Sequence, residues 1–329
     1  MLTEENSLDN ETILQRLMRC CLLISCILLP MSFRIIFCGT PAFACPSLQA
    51  LHDDPAFEVT QVITQPDKPV GRGKKLTPPP VKELALSLGI PVMQPHDINV
   101  ARSLWRAESS RGREVESCDF LVVVAYGQIL SKEILALPKI APVNVHASLL
   151  PRWRGASPIE SSILAGDTET GITIQRMVER LDAGPILSQE RLPIGLRETK
   201  VLLTEKLAIL GATLLCETLK TLRTRPGTAA LMNEIPQNEA EATVCKKLTR
   251  EMGVVDPKTI TAEEIDRRVR ALVPWPGVIM DGVKLIETSH EPHPEALVVP
   301  CARNTTLFAL KLQSPTKKIM TGEEWGRNL

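Results

Sequence analysis

Four short apolar segments, separated by turns and helical patterns, most constrain what this chain can fold into. They are Phe33–Phe37, Val59–Thr64, Phe120–Ala125 and Val143–His146. The sequence also predicts helices at Ser47–His52 and Pro80–Leu88, and another that begins at Pro158. Because strands that alternate with helices build parallel β-α-β units, we expect an α/β domain with a doubly wound, Rossmann-like parallel sheet.

A polar pair, Asn144 and His146, lies at the end of the fourth segment. Side chains alternate along a strand, so this pair faces one side of the sheet while Val143 and Val145 face the other. The carboxyl ends of parallel strands are where such sheets bind ligands. An amide donor beside an imidazole suits acyl transfer, because the amide stabilises an oxyanion and the imidazole moves a proton. On these residues alone, a hydrogen-bonded core histidine beside a structural asparagine is an open alternative.

Asp182 is a second candidate for chemistry. It lies in the tight turn Leu181–Pro185, which follows a predicted strand at Ile172–Met177. A carboxylate in such a turn can reach across a cleft, although an aspartate that simply forms the turn fits the same pattern.

The segment Gln65–Leu76, followed by Thr77 and three prolines, is unusually rich in proline, glycine and basic residues. Its composition predicts an irregular loop. From Asp67 to Lys82 the chain carries five basic residues and a single acid, Asp67. A flexible basic loop after a strand suits contact with nucleic-acid phosphates, and an ordinary solvated loop is the alternative.

The formal net charge of the chain is zero, so the protein as a whole does not attract a polyanion by long-range electrostatics. Lys and Arg total 38, as do Asp and Glu, so any nucleic-acid contact must come from local patches. The nine cysteines lack the paired spacing of a zinc site and are expected to be reduced thiols. The turn Gly39–Pro41 lacks the G-x-G-x-x-G spacing of a dinucleotide site.

The first 31 residues differ from the rest of the chain. Cys20–Leu29 is an apolar run too short to span a bilayer, and several acidic residues precede it, unlike in a signal or transit peptide. We interpret residues 1–31 as an N-terminal extension that has no function up to its last residue, Met31, where we expect the functional chain to start.

The last third of the chain predicts a second, smaller domain. After a predicted helix at Thr199–Leu222, residues 223–240 resemble a linker and residues 241–329 follow it. Thr261 is expected to cap a helix that ends at Leu272. Short strands are predicted at Val278–Met280, Val283–Glu287, Ala296–Val299 and Leu307–Leu312. Short strands with turn signals suggest a small β-barrel.

Several motifs together resemble a known family. They are Phe37–Phe43 (F-x-G-T-P-x-F), Thr64–Pro69, Gly71–Leu76, Val123–Gly127, Asn144–His146, Ser148–Ala156, Leu181–Asp182 and Pro274–Gly277. Everything after Met31 is similar to the methionyl-tRNA formyltransferase family, within the wider folate-dependent formyltransferases. The Asn144, His146 and Asp182 trio marks only the wider group. The basic segment that begins at Gln65 points to the tRNA-using members.

The resemblance implies transfer of the formyl group of 10-formyltetrahydrofolate to the α-amino group of methionine on initiator tRNA, in translation initiation. Asn144 would then donate a hydrogen bond to the formyl oxygen, and His146 would transfer the proton of the attacking amine. Asp182 would set the state of His146, and no metal is implied. The resemblance further implies a cytoplasmic monomer without membrane contact.

The resemblance also assigns binding residues and domains. The folate pocket would be lined by Tyr126, Gly127, Gln128, Ile129, Ser148, Leu149, Leu150 and Pro151. The tRNA contacts would come from Lys68, Arg72, Lys74 and Lys75. Residues 32–222 would form the catalytic domain, and residues 241–329 an OB-like barrel that binds tRNA. Basic clusters there, equally compatible with ordinary surface, are Lys246-Lys247 with Arg250, Arg267-Arg268 with Arg270, and Lys317-Lys318.

The sequence departs from the family pattern at Ala42, Ala147 and Pro185, and none of these removes a catalytic group. Three competing functions use part of the same evidence. A small-substrate formyltransferase or a formyltetrahydrofolate hydrolase would have little use for the basic segment and the second domain. An RNA-binding module without catalysis would leave the trio unexplained.

Overall fold

Strands and helices alternate through the first two thirds of the chain. The computed structural model of the protein describes residues 32–71, 73–100, 118–223 and 234–327, so the predicted N-terminal extension and Arg72 lie outside the described residues. The strands are β1 (Phe33–Gly39), β2 (Phe57–Ile63), β3 (Lys68–Val70), β4 (Lys75–Thr77), β5 (Val92–Met93), β6 (Phe120–Val124), β7 (Ala141–His146), β8 (Arg154–Gly155), β9 (Glu169–Arg176) and β10 (Ile186–Pro193). The helices are α1 (Cys45–Asp53), α2 (Pro80–Ser87), α3 (Lys132–Leu135), α4 (Pro158–Ala165) and α5 (Lys200–Arg223).

A seven-stranded sheet in the order β10-β9-β7-β6-β1-β2-β5 forms the centre of this part of the chain. Strands β5, β2, β1, β6 and β7 run parallel, as predicted. The expectation of an all-parallel sheet is wrong for β9 and β10, which are antiparallel to their neighbours. Strand β9 enters the sheet beside the carboxyl end of β7, so it runs in the opposite direction. Helix α4, which lies between these two strands in the sequence, packs against a helix of the second domain. The result is a mixed, parallel-rich α/β sheet.

The two faces of the sheet bury two separate apolar clusters. Val143 and Val145 of β7 lie in the cluster that also contains α1 and α5. Ile36, Cys38, Leu121 and Val123 belong to the cluster on the opposite face. Because side chains alternate along a strand, Asn144 and His146 point away from Val143 and Val145.

The second domain is rich in short strands. Its elements are β11 (Val244–Cys245), β12 (Val254–Val255), α6 (Ala262–Leu272), β13 (Val278–Met280), β14 (Val283–Ser289), β15 (Leu297–Cys301), β16 (Thr305–Gln313), β17 (Ile319–Thr321) and α7 (Gly322–Gly326). A six-stranded sheet runs β12-β13-β14-β16-β15, with β17 also on β16. The two residues of β12 pair with β13 alone among the described strands, so the sheet is open and the predicted OB-like barrel is not confirmed.

A buried carboxylate, Asp266, joins the two domains. It lies on α6 and is 1% exposed. Arg197 of the first domain donates to Oδ1 of Asp266 at 2.9 Å, and Arg270 donates to Oδ2 at 2.9 Å. The hydroxyl of Thr288 donates a third bond to Oδ1 at 2.9 Å. The buried charge is therefore fully hydrogen-bonded, as its burial requires.

We expect Asp266→Ala to lower the free energy of unfolding by about 3–5 kcal/mol, because it leaves two guanidinium groups without their buried partner. Urea denaturation followed by circular dichroism measures the change. Glu263→Ala, at an exposed position of the same helix, is the matched control and is expected to change it by less than about 0.5 kcal/mol. Equal effects of the two substitutions would contradict a stabilising role for the Asp266 network.

Candidate functional site

Asn144, His146 and Asp182 lie together at the carboxyl edge of the large sheet. The first two are at the end of β7, and Asp182 comes from the loop between β9 and β10. Nδ2 of Asn144 donates to Oδ1 of Asp182 at 3.5 Å, and Nδ1 of His146 is 3.6 Å from the same oxygen. The asparagine and histidine are 9% and 6% exposed. The structure thus brings the three predicted catalytic residues into one largely buried group.

The histidine ring is oriented by a backbone carbonyl. Nε2 of His146 is 2.9 Å from the carbonyl oxygen of Trp153. A carbonyl only accepts, so Nε2 carries the hydrogen in this contact. Nδ1 is then the ring nitrogen that can take up a proton, and it is the one that faces Asp182.

The carboxylate of Asp182 is held by two donors that the sequence analysis did not identify. The backbone N–H of Gly155 donates to Oδ2 at 2.8 Å, and Nε2 of Gln175 donates to Oδ1 at 2.9 Å. Gly155 has φ +117°, and a Cβ there would lie 2.4 Å from the carbonyl oxygen of Cys245. Only glycine fits this position, and its N–H is thereby directed at Asp182.

A signal for Gln175 was present in the sequence. Thr173 and Gln175 alternate with isoleucines in β9, and they pair directly with His146 and Asn144 of β7. Polar residues with period 2 in an apolar strand predict a polar face. This alternation could have identified Gln175. No sequence pattern could have identified the carbonyl of Trp153, because a backbone group does not depend on the residue type.

A small cavity of about 80 Å³ lies beside Asp182. Gln128 and Ile129, two of the predicted folate-binding residues, line it together with Gln175 and Asp182. Tyr126, at the start of the turn that contains Gln128 and Ile129, is buried. Its hydroxyl has no hydrogen-bond partner among the described residues. Burial raises the pKa of Tyr126, so this hydroxyl is a neutral donor. Gly127, at φ +91°, lies within the same turn.

The other predicted folate residues, Ser148–Pro151, are placed differently. The hydroxyl of Ser148 donates to the carbonyl of Arg152 at 2.6 Å, and the hydroxyl of Thr173 donates to the carbonyl of Ser148 at 2.6 Å. The N–H of Leu150 donates back to Thr173 at 3.0 Å. Leu149 lines a separate groove of about 340 Å³ with Arg152 and Trp153. The structure therefore groups Gln128 and Ile129 with Asp182, and Leu149 with a neighbouring groove.

The basic segment forms a hairpin, which corrects the prediction of an irregular loop. Strands β3 and β4 pair antiparallel, with Pro69 opposite Leu76. A two-stranded ribbon consists of edge strands, where proline is tolerated, and Gly71 at φ +71° supplies the turn. Proline and glycine are therefore compatible with this regular structure, although they suggested a loop.

The hairpin follows a strand that ends at the same edge of the sheet as the trio, and it carries exposed basic residues. Lys68, Lys74 and Lys75 are exposed. Lys82, by contrast, pairs with Asp67 at 2.8 Å, and this contact lowers the pKa of the aspartate. Strands β2 and β7 belong to the same parallel set, so the hairpin that follows β2 starts from the carboxyl edge that carries the trio.

The basic clusters of the second domain divide into two kinds. Lys246, Lys247, Arg250, Lys317 and Lys318 are exposed. Arg268 donates to the carbonyl of Met252 at 3.1 Å, and Arg270 belongs to the Asp266 network.

The described residues contain no group of three or more His, Cys, Asp or Glu side chains that could hold a metal ion. No helix within the described ranges is long and apolar enough to cross a membrane.

Comparison with known families gives the class of the protein. The formyl transferase family profile matches residues 33–219, and the profile of the formyl transferase C-terminal domain matches residues 247–329. The two parts of the chain are therefore the two domains of a formyl transferase.

Curated relatives narrow the class further. The methionyl-tRNA formyltransferase of Methylococcus capsulatus is 41% identical over 309 residues, which cover 89% of this chain and 96% of the relative. The enzyme of the same name from Bacillus subtilis is 39% identical, over 89% of this chain and 94% of the relative. This chain belongs to the methionyl-tRNA formyltransferase family, which confirms the predicted resemblance.

Solved structures show the same fold at low sequence identity. A sugar 3N-formyl transferase, solved in the presence of dTDP and 5-N-formyl-THF, has a TM-score of 0.60 and 18% identity, covering 84% of this chain and 97% of that one. An N-formyltransferase from Helicobacter canadensis, in complex with folinic acid and dTDP-3-aminofucose, has a TM-score of 0.59 and 18% identity, covering 85% of this chain and 99% of that one.

Proposed function

We propose that this protein transfers the formyl group of 10-formyltetrahydrofolate to the α-amino group of methionine esterified to initiator tRNA, in translation initiation. The observation that carries the proposal is the meeting of Asn144, His146 and Asp182 within 3.6 Å at the ligand-binding edge of the sheet. The names and coverage of the relatives support the tRNA as acceptor, because the similarity extends through the second domain.

The geometry supports a distinct role for each member of the trio. Asn144 donates to the formyl oxygen as negative charge develops there. His146 takes up, on Nδ1, the proton that the attacking amine must lose, and a proton is returned to the folate nitrogen as its bond to the formyl carbon breaks. Asp182 stabilises the charged imidazole. One carbon–nitrogen bond forms and another breaks, so no oxidant or reductant is consumed.

The folate would bind at the cavity beside Asp182. Gln128 and Ile129 line this cavity, and Gln175 contributes a buried Oε1 that has no hydrogen-bond partner among the described residues. Such an acceptor suits the N–H groups of a pterin-like ring. Tyr126 and Gly127 shape the adjoining turn, and Ser148–Pro151 frame the site through their backbone. The folate compounds named with the two solved formyltransferases support this class of co-substrate.

The tRNA would contact the hairpin and the second domain. The exposed Lys68, Lys74 and Lys75 belong to the hairpin that starts from the edge that carries the trio, and Arg72 belongs to the same segment. We further propose that residues 32–222 are the catalytic domain, that residues 223–240 are the linker and that residues 241–329 bind tRNA. A monomer acting in the cytoplasm completes the proposal.

An acceptor assay tests the proposed function. Labelled 10-formyltetrahydrofolate is supplied with methionyl-initiator tRNA, with uncharged initiator tRNA, or alone. Label is expected on the charged tRNA only. Release of labelled formate without an acceptor would instead indicate a hydrolase, and the absence of label from charged tRNA would refute the proposal.

His146→Ala is expected to lower the turnover number by at least about 10²-fold, because it removes the group that moves the proton. Affinity for tRNA is expected to change little. Single-turnover formyl transfer and a separate tRNA-binding measurement check both. His52→Ala, at an exposed position on α1, is the matched control. Turnover close to that of His52→Ala would exclude proton transfer by His146.

Lys75→Ala is expected to weaken tRNA binding and to make the negative slope of log K against log salt less steep by about 1, as expected for one lost phosphate contact. Lys139→Ala is the matched control, because this exposed lysine lies at the amino edge of the parallel strands, where its N–H bonds the carbonyl of Cys118. Binding titrations at several salt concentrations measure both slopes. Identical slopes for the two variants would show that Lys75 does not contact phosphate.

A further inference from the structure

Residues 234–239, which precede the second domain, contact the loop between β9 and β10 that carries Asp182, hereafter the Asp182 loop. Gln237 lies on this stretch, and its side-chain Nε2 donates to the carbonyl of Asp182 at 2.8 Å and to the carbonyl of Gly184 at 2.7 Å. Both N–H groups of one amide are therefore bonded to the backbone of the turn that carries Asp182.

The orientation of the Gln237 amide is set by a buried arginine. Arg154 is 6% exposed, and its Nε donates to Oε1 of Gln237 at 2.9 Å. Because a guanidinium only donates, the oxygen of the amide must face Arg154 and the nitrogen must face the Asp182 loop. Arg154 also forms two hydrogen bonds to Glu239, and Arg180 pairs with the same carboxylate.

The turn needs such support because its backbone is unfavourable. Asp182 has φ +49°, in the left-handed region that non-glycine residues adopt at a cost. Gly155 and Gln175 hold its carboxylate, but neither holds its backbone. Gln237 supplies that missing contact from a different part of the chain.

The stretch that carries Gln237 is itself fixed to the catalytic domain. Glu234 accepts two hydrogen bonds from Arg176, at 2.6 and 2.5 Å, and Ile235 forms an antiparallel bridge with Ile186. Arg176 ends β9 and Ile186 begins β10, so both contacts lie at the base of the loop that contains Asp182. The chain is therefore held before Gln237 by Glu234 and Ile235, and after it by the bonds of Glu239 to Arg154.

We propose that Gln237 is a positioning residue for formyl transfer, which holds the backbone of Asp182 so that its carboxylate faces Asn144 and His146. The inference rests on the proposed catalytic role of Asp182. Gln237 itself touches neither substrate nor the reacting atoms. Its effect should therefore appear in kcat and should require the Asp182 carboxylate.

The substitution Gln237→Glu replaces the two N–H donors by an acceptor and adds a negative charge. It keeps the length of the side chain and the oxygen that accepts from Arg154, and it places a carboxylate oxygen against the two carbonyls. We expect kcat to fall by about 10- to 100-fold, as for a catalytic group displaced by a fraction of an ångström to an ångström, with KM for tRNA and for folate within about twofold. Gln237→Leu removes all three hydrogen bonds and should lower kcat at least as much.

Asn238→Ala is the matched control. The side chain of Asn238 is bonded to the N–H of Ala240 and to Glu241, and none of its hydrogen bonds within the described residues goes to the Asp182 loop. It disturbs the same stretch of chain without touching the proposed contact, so kcat should stay within about twofold of the wild type. Thermal unfolding of each variant shows whether it is folded at the assay temperature.

A double-mutant cycle with Asp182→Ala decides between positioning and general structural damage. If Gln237 acts through the carboxylate, Gln237→Glu should lower kcat no further in the Asp182→Ala background. Multiplying effects in the double variant, or an unchanged kcat in the single variant, would overturn the inference. An Asp182→Ala variant with wild-type kcat would instead refute the role of Asp182 in the proposed function. The two failures are thus distinguishable.

Discussion

Strand β7 lies between β6 and β9, and each of its residues is buried. Val143 and Val145 fill the apolar cluster on one face, so Asn144 and His146 have to project from the other. Polar side chains buried at this depth require hydrogen-bond partners. His146 is bonded to the carbonyl of Trp153, in the chain that follows β7. Asn144 is bonded to the carboxylate of Asp182, in the loop between β9 and β10. The two loops that supply them close over the carboxyl edge of the sheet and create the site.

The parts of this arrangement that follow from local patterns could be predicted from the sequence. The apolar alternation identified β7 and the direction of its two polar side chains, and Pro158 marked the start of α4 correctly. The reversed direction of β9 could not be predicted, because pairing direction depends on the path of the intervening chain. Gln237 was out of reach for the same kind of reason. Its partners Asp182 and Arg154 are 55 and 83 positions away in sequence, and no periodicity connects them.

The candidate site is not built by the first domain alone. The two family profiles match residues 33–219 and 247–329, yet the chain between them supplies Gln237 and Glu239, which contact Asp182 and Arg180 of the Asp182 loop. The next residues add to this connection, since Val244 and Cys245 pair with Arg154 and Gly155 as a short parallel sheet. The N–H of Gly155 that binds Asp182 is therefore held in place by residues beyond the first matched region.

The charges around Gln237 are arranged so that ordinary changes of pH leave the contact intact. Hydrogen bonds from Arg154 and Arg180 lower the pKa of Glu239 from 4.5 to about 2. A carboxyl whose pKa is lowered on folding contributes stability above its unfolded pKa, and this contribution is lost only as the pH falls towards the lowered value. Glu239 thus stays ionised and bonded to Arg154 from mildly acidic to alkaline pH, and Arg154 keeps its bond to Gln237. A change of turnover with pH near neutrality must therefore originate outside this group of charges.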